Sequence, residues 1–386
     1  MGPSHADQPK PVKADYDFAI VGGSIIGLSI AWKLSSFGKV VLLDRNRVGR
    51  EASWAAAGIL PPWSMTTAVH PIERLAATSF QLHETWANQL QQETGIDTGF
   101  RRCGALFIAR TAGEVAALSG QILEWRENEI EVEKLTAQQA ADRVPALRPV
   151  AENIRTAALV VREAQIRNPD HLRALKHACQ KNGVTILEEQ GDCELITQPG
   201  PDSIVSAIQT EQHAGLTADK FCLAAGAWSE QVASKIGIKI STLPVRGQML
   251  LYKLPSQPFT PIIYEGTRYI VPRDDGHVVV GATLEEAGFD KSTTPQGLGE
   301  LKEFASSLVP ELTEATLVDA WAGLRPASFD GQPYIGPVSS LKNLWLATGH
   351  FRSGLLLSTG TAELVCQMLR GQATSFDVTP FRVERG

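Results

Sequence analysis

The 386-residue sequence predicts an α/β fold in which a parallel sheet is joined to a second, antiparallel sheet. Two observations predict it. Over residues 17–44, a short apolar run, a glycine-rich turn, an amphipathic stretch and a second apolar run follow one another, as in a βαβ unit. Over residues 243–283, short strand-like runs alternate with turn residues, which is typical of an antiparallel sheet.

Composition excludes several classes of function. The net charge is −6, and no cluster of lysines or arginines indicates a surface for nucleic acid. Five scattered cysteines, an odd number without CxxC spacing, argue against a disulfide framework and against a metal site. No apolar run approaches the ~20 residues of a membrane span. Residues 1–13 lack the apolar core of a signal peptide. We therefore expect a soluble, cytoplasmic protein.

The remaining elements follow in chain order. Residues 1–14 are predicted to be a flexible lead-in, and a strand at 18–21, a helix at 25–37 and a strand at 40–43 are predicted to make up the βαβ unit. Helices are predicted at 79–93, 112–128, 136–143 and 168–181, the last of them capped by Asn168. Strands are predicted at 104–109, 221–226 and 344–347, and a final helix at 354–369. Prolines near residue 150 indicate a crossing between domains.

The turn at residues 22–27, Gly-Gly-Ser-Ile-Ile-Gly, lies where a dinucleotide fingerprint is expected, between a strand and a helix. Such a turn offers backbone N–H groups and a positive helix end to a pyrophosphate. Ser24 replaces the middle glycine of the pattern. Asp44 lies 17 residues after Gly27, close to the ~20 expected for the acid that binds a ribose. The alternative is an ordinary βαβ turn with a surface aspartate.

A run of small residues at 52–58, Ala-Ser-Trp-Ala-Ala-Ala-Gly, follows the ribose acid. Small side chains there would let the backbone approach a flat ring closely, but three alanines are equally typical of a helix. The residues alone leave open whether the cofactor is NAD or FAD.

Four segments together resemble the D-amino acid oxidase family of flavoproteins, and within it the glycine oxidases. They are residues 20–27 with Asp44, the small-residue run at 53–60, the segment 224–229 (Ala-Ala-Gly-Ala-Trp-Ser), and a C-terminal block. That block reads Trp-Ala-Gly-Leu-Arg-Pro at 321–326, Asp-Gly-Gln-Pro-Tyr-Ile-Gly at 330–336 and Gly-His-Phe-Arg-Ser-Gly at 349–354. The resemblance extends from about residue 17 to 370.

The resemblance implies a Rossmann-like FAD-binding domain built from residues 15–94, 151–242 and 321–386. A substrate domain with an antiparallel sheet takes residues 95–150 and 243–320. It also implies that FAD is bound non-covalently, because no cysteine matches the loop at which sarcosine oxidases attach flavin. The cofactor-binding residues it implies are Gly22, Gly23, Ser24, Ile25, Ile26, Gly27, Asp44, Arg45, Ser53, Ala55, Ala56, Ala57, Gly58, Gly226, Trp228, Gly349, His350, Phe351, Arg352, Ser353 and Gly354.

Arg325 leaves an apolar run just before a proline, a position from which its planar fork can clamp a carboxylate in a pocket. The alternative is a surface ion pair with Asp319 or Asp330. Strand alternation places Tyr269 on one face of the predicted substrate sheet, where the alternative is a packed ring with a solvated hydroxyl. The resemblance assigns Arg325 and Tyr269 to the substrate carboxylate and places Arg352 at the substrate. It does not make His350 a general base.

The resemblance implies an FAD-dependent oxidase of small amino acids, with glycine as the favoured substrate and O2 as the acceptor. Hydride would pass from Cα to flavin N5, and the imine would hydrolyse to glyoxylate and ammonia, with release of H2O2 and without an obligatory acid or base. A homo-oligomer and a link to thiamine synthesis are further expectations. Two alternatives stay open: a D-amino acid or sarcosine dehydrogenase that uses another acceptor, and a flavin-binding subunit without turnover.

Overall fold

A computed structural model describes residues 14–198, 200 and 203–385. The predicted lead-in at 1–14 therefore lies outside the described residues, apart from Ala14. The described residues form α-helices α1 (Ile25–Leu34), α2 (Ala52–Ala55), α3 (Pro71–Thr94), α4 (Ala112–Glu127), α5 (Ala137–Arg143), α6 (Asn168–Lys181), α7 (Ser229–Ser234), α8 (Pro295–Leu308) and α9 (Gly354–Leu369). The predicted helices are all present, and α1 ends at Leu34 rather than at residue 37, because Phe37 is exposed and only a turn follows.

The strands are numbered in the same way. They are β1 (Tyr16–Val21), β2 (Val40–Leu43), β3 (Ile59–Leu60), β4 (Arg101–Arg102), β5 (Ala105–Ala109), β6 (Val132–Leu135), β7 (Thr156–Val160), β8 (Ala164–Gln165), β9 (Thr185–Leu187), β10 (Glu194–Gln198), β11 (Ile204–Gln209), β12 (Ala218–Leu223), β13 (Thr242–Lys253), β14 (Ile262–Glu265), β15 (Arg268–Pro272), β16 (His277–Gly281), β17 (Thr316–Ser328), β18 (Tyr334–Pro337) and β19 (Leu344–Thr348).

The first sheet is the predicted parallel sheet. Its order is β18-β19-β12-β1-β2-β9, and every neighbouring pair is parallel except β18 with β19. Alternate residues of β1 and β2 enter different cores: Ile20 and Leu42 face helices α1, α3, α6 and α9, while Val21 and Leu43 pack on the opposite face. Both faces are therefore buried, which explains the unbroken apolar runs in the sequence.

The second sheet has eight strands in the order β17-β13-β16-β15-β14-β5-β7-β6. It is antiparallel except where β14 runs parallel to β5, which reaches the sheet from a distant part of the chain. β7 lies within the segment 151–242 that was assigned to the cofactor domain, and β17 crosses residue 320. The division into domains stays a prediction.

Two smaller sheets complete the fold. β3, β8 and β4 form a three-stranded sheet, and β10 and β11 form a hairpin. Within the described part of the chain, no helix is long and apolar enough to cross a membrane, and no group of three or more potential ligands is placed to hold a metal ion. The carboxyl ends of β1, β2, β12 and β19 point to one edge of the parallel sheet, the position at which ligands bind in such folds.

Candidate active site

Two adjoining cavities lie at this edge. One has a volume of about 290 Å³ and reaches from the fingerprint turn to the eight-stranded sheet. The other, of about 340 Å³, lies at the ends of β1 and β2. The two share Ala52, Ala224, Gly226 and Pro326 in their walls. The site is therefore elongated and suits a long ligand whose two parts occupy the two cavities.

The fingerprint turn leaves no room for side chains at its two outer glycines. Gly22 has φ +108°, and a Cβ atom there would lie 2.4 Å from the carbonyl oxygen of Ala224. A Cβ atom at Gly27 would lie 1.9 Å from the carbonyl oxygen of Gly22. Ser24 instead has extended backbone that any residue adopts, and its hydroxyl caps α1 by accepting from the Gly27 amide at 3.5 Å. A serine therefore fits at the middle position.

Asp44 stands at the end of β2 in the wall of the 340 Å³ cavity. Its carboxylate accepts hydrogen bonds from the Gly23 amide at 2.7 Å and the Asn46 amide at 2.8 Å. Burial raises the pKa of Asp44 to about 6, against the opposing effect of these two bonds. The Arg45 guanidinium lies 5.0 Å from the centre of the Trp228 ring, so these two predicted cofactor residues meet in the same cavity.

The run of small residues lies against the fingerprint helix. The Ser53 hydroxyl accepts from the Ile25 amide at 3.0 Å. Asn168, which was predicted to cap α6, is instead its first residue, and its side chain donates to the Ser53 carbonyl at 2.7 Å. The buried Arg273, which directly follows β15, donates to the Ala57 carbonyl at 2.7 Å. These bonds fix the backbone that lines the 290 Å³ cavity.

The first turn of α9 forms another wall of the same cavity. Gly349, with φ +78°, turns the chain towards it. His350 is buried, its Nε2 lies 3.1 Å from the Thr361 hydroxyl, and burial lowers its pKa to about 3. With so low a pKa this imidazole is a poor proton acceptor at neutral pH, and its contact with Thr361 fits a positioning role. Arg352 is exposed at the rim, where it donates to the Thr267 carbonyl at 3.4 Å.

Tyr269 and Arg325 meet at the far end of this cavity. Burial raises the pKa of the Tyr269 hydroxyl, and the positive charges of Arg325 and Arg352 oppose that effect. The Arg325 guanidinium donates to the Thr283 carbonyl at 3.2 Å. The surface ion pairs considered above do not form, because Asp330 pairs with Arg385 and no described carboxylate lies within 4.0 Å of Arg325.

Most of the sequence-predicted residues line one of the two cavities. The 340 Å³ cavity takes Gly22, Asp44, Arg45 and Trp228, and Gly226 borders both. The 290 Å³ cavity takes Ser24, Ile25, Ile26, Ser53, Ala55, Ala56, Ala57, Gly58, Tyr269, Arg325, His350, Phe351, Arg352, Ser353 and Gly354. Gly23, Gly27 and Gly349 line neither cavity and shape the turns behind the walls. The cofactor and substrate roles of all these residues stay predictions.

The sequence did not indicate several residues that build the site. Tyr264 stands opposite Tyr269 in the antiparallel pair β14 and β15. It lines the cavity and donates to the carboxylate of Glu163 at 2.6 Å. Glu163 is 2% exposed, and burial raises its pKa to about 7. Trp321 donates to the Ala55 carbonyl at 3.0 Å. Of these three residues, only Trp321 had a signal in the sequence, because it is the first residue of the C-terminal block that carries the resemblance.

These walls fit FAD. Because Gly22 and Gly27 have no side chains, a pyrophosphate can approach the backbone at the start of α1 closely. Asp44 stands where the acceptor for a ribose hydroxyl is expected. The adjoining cavity has small residues on one side and the start of α9 on the other, which leaves a broad space for a flat ring.

Comparisons with known proteins agree with this geometry. The FAD dependent oxidoreductase family pattern (DAO) matches residues 17–368. Glycine oxidase of Pseudomonas putida is 36% identical over 95% of this chain and 97% of its own. The crystal structure of glycine oxidase from Geobacillus kaustophilus has a TM-score of 0.88 at 30% identity, covering 96% of this chain and 99% of that one. Iminodiacetate oxidase from a Chelativorans species has a TM-score of 0.84 at 25% identity, covering 95% and 98%. The chain belongs to the DAO family of FAD-dependent oxidoreductases.

Proposed function

We propose that the protein oxidises glycine with O2, binding the substrate carboxylate between Arg325 and Tyr269. One observation carries the proposal: the Arg325 guanidinium lines the cavity without a carboxylate partner among the described residues. A half-buried cation without a directly bonded carboxylate is costly, and its fork geometry matches that of a carboxylate. The similarity to glycine oxidases supports glycine as the amino acid.

The chain's own residues orient the substrate. Arg325 and Tyr269 fix the carboxylate at one end, while the small-residue run and the start of α9 leave the adjoining space for a ring. Bound FAD would accept a hydride, that is two electrons and a proton, from the Cα atom of the substrate. Because burial makes His350 a poor proton acceptor and its imidazole bonds to Thr361, we assign no obligatory acid or base and expect orientation to contribute most of the acceleration. The imine product then hydrolyses to glyoxylate and ammonia.

Cofactor attachment and cellular setting belong to the same proposal. We expect FAD to be non-covalent: only Cys193 among the five cysteines lines either cavity, and it does so at the end where Asp44 lies. All five thiols are free, which supports a reducing compartment and hence a cytoplasmic location. We also propose a homo-oligomer, which light scattering during gel filtration would test.

Oxygen uptake with glycine tests the proposed reaction. We expect steady O2 consumption with one H2O2 and one glyoxylate formed per O2. If glycine reduces the flavin but O2 does not sustain turnover, the protein is a dehydrogenase with another acceptor. If no amino acid reduces the flavin, the protein is a flavin-binding subunit and the proposal is wrong.

A second candidate is the oxidation of iminodiacetate, a secondary amine with two carboxylates. Arg352 favours it, because this exposed cation at the rim of the cavity bonds only weakly to the Thr267 carbonyl and is placed to meet a second carboxylate. The similarity to iminodiacetate oxidase agrees with this candidate. Comparing kcat/KM for glycine and iminodiacetate decides between the two. Under the second candidate, Arg352→Ala lowers the value for iminodiacetate far more than that for glycine.

A further inference from the structure

Arg325 lies flat across a glycine of the neighbouring strand. In the antiparallel pair β13 and β17, Val245 stands opposite Arg325, and Gly247 stands opposite Gly323. Residues two apart on a strand share a face, so Arg325 can reach diagonally over Gly247. The three atoms nearest to a Cβ atom placed at Gly247 would all belong to the Arg325 guanidinium, at distances of 2.1–2.3 Å.

Nothing in the backbone calls for glycine at this position. Gly247 lies within a long strand and its φ is outside the left-handed region, so any residue can adopt its conformation. Glycine inside a strand weakens the strand, which means that its presence here needs another reason. The space above its Cα provides one, because the guanidinium fills it.

Gly323, opposite Gly247, leaves room for the small-residue run on the other side of the site. A Cβ atom at Gly323 would lie 2.5 Å from the Cβ atom of Ala55 in the small-residue run. The pair Gly247 and Gly323 therefore forms a shallow groove in the sheet that receives Arg325 on one strand and Ala55 on the other. The groove therefore brings the Arg325 guanidinium and the small-residue run close to the same part of the sheet.

We propose that Gly247 is a positioning residue that seats the Arg325 guanidinium for the substrate carboxylate; the role assumed for Arg325 rests on the proposed function. With alanine at residue 247, the guanidinium must move by about 1 Å or more to reach an ordinary contact distance of 3.4–4 Å. The guanidinium is the far end of a flexible side chain, so the fold can survive this shift. A misplacement of about 1 Å in a positioning group costs up to about 100-fold in rate.

The test is Gly247→Ala in the FAD-loaded enzyme. We expect acetate, measured by its perturbation of the flavin absorption, to bind at least tenfold more weakly, and kcat/KM for glycine to fall about 10- to 100-fold. FAD content and the thermal midpoint should match the parent protein. Gly299→Ala is the matched control, because that glycine in α8 has open space around its Cα. Its acetate affinity and kcat/KM should stay at the parent values.

A double-mutant cycle separates positioning from general destabilisation. If Gly247 acts through Arg325, Gly247→Ala has no further effect on acetate binding in an Arg325→Ala background. Should Gly247→Ala fail to fold, the double variant should recover folding and FAD content, because the crowded guanidinium is gone. Equal losses in both backgrounds, failure of the double variant to fold, or parent-like acetate binding by Gly247→Ala would each overturn the inference. If the parent protein neither binds acetate nor oxidises glycine, the proposed function itself has failed.

Discussion

Replacing Arg325 by alanine removes the cation that the proposed function assigns to the substrate carboxylate. One nitrogen of its fork already donates to the Thr283 carbonyl, so the substrate uses the remaining N–H groups together with the Tyr269 hydroxyl. Truncating one member of a charged, buried hydrogen-bonded pair costs about 2–5 kcal/mol. Since about 1.4 kcal/mol corresponds to a factor of ten, kcat/KM for glycine should fall by roughly 30-fold to several thousand-fold.

Two milder substitutions at the clamp should lower kcat/KM for glycine by smaller factors. Arg325→Lys keeps the charge but loses the planar fork, and should lose less than Arg325→Ala. Tyr269→Phe removes one neutral donor, worth about 0.5–1.5 kcal/mol, and should lose about 2- to 10-fold. The assay is initial-rate oxygen uptake over a range of glycine concentrations, with FAD content measured for each variant. The control is Arg148→Ala, because Arg148 is exposed and lines neither cavity. An Arg325→Ala enzyme with the parent kcat/KM would refute the assignment of this residue.

Three further predictions concern the cofactor and the fold. Asp44→Ala should weaken FAD binding by about 1–3 kcal/mol, as measured by titrating the apoprotein, because a charged acceptor is lost; an unchanged Kd would remove Asp44 from the cofactor site. Ser24→Gly should keep FAD affinity, since glycine costs only a few tenths of a kcal/mol at a helix cap; a large loss would mean that the hydroxyl binds phosphate. Glu163→Gln should gain stability relative to the parent as pH rises. The pKa of Glu163 is about 7 in the folded protein against an ordinary 4.5, so the parent's stability falls between those pH values as the unfolded chain ionises first. The difference in unfolding free energy should shift by about 3 kcal/mol between pH 4 and 8, and a pH-independent difference would contradict the buried acid.

The cofactor end of the site could be predicted from the sequence because its signals are local. A strand, a tight turn and a helix set the positions of Gly22 and Gly27 within a few residues, and Asp44 follows at the end of the next strand. The roles of the clamp residues Tyr269 and Arg325 could be assigned only through a resemblance, since strand alternation fixes a face but not what that face meets.

The supporting residues could not be predicted because their partners are distant in the chain. Glu163 accepts a hydrogen bond from Tyr264, which lies 101 residues away. Arg273 reaches the carbonyl of Ala57, 216 residues earlier. The crowding above Gly247 depends on the register of β13 against β17, and no periodicity in either strand specifies that register.

Anaerobic mixing with small amino acids tests the central claim most directly. The purified, FAD-loaded protein is mixed with glycine, sarcosine, D-alanine or D-proline in the absence of O2, and the flavin band is followed in a stopped-flow spectrometer. The account predicts complete bleaching by glycine at a rate no slower than turnover, and slow or no bleaching when Arg325 is replaced by alanine. A flavin that stays oxidised with glycine, or that bleaches equally fast in the Arg325→Ala variant, would contradict it.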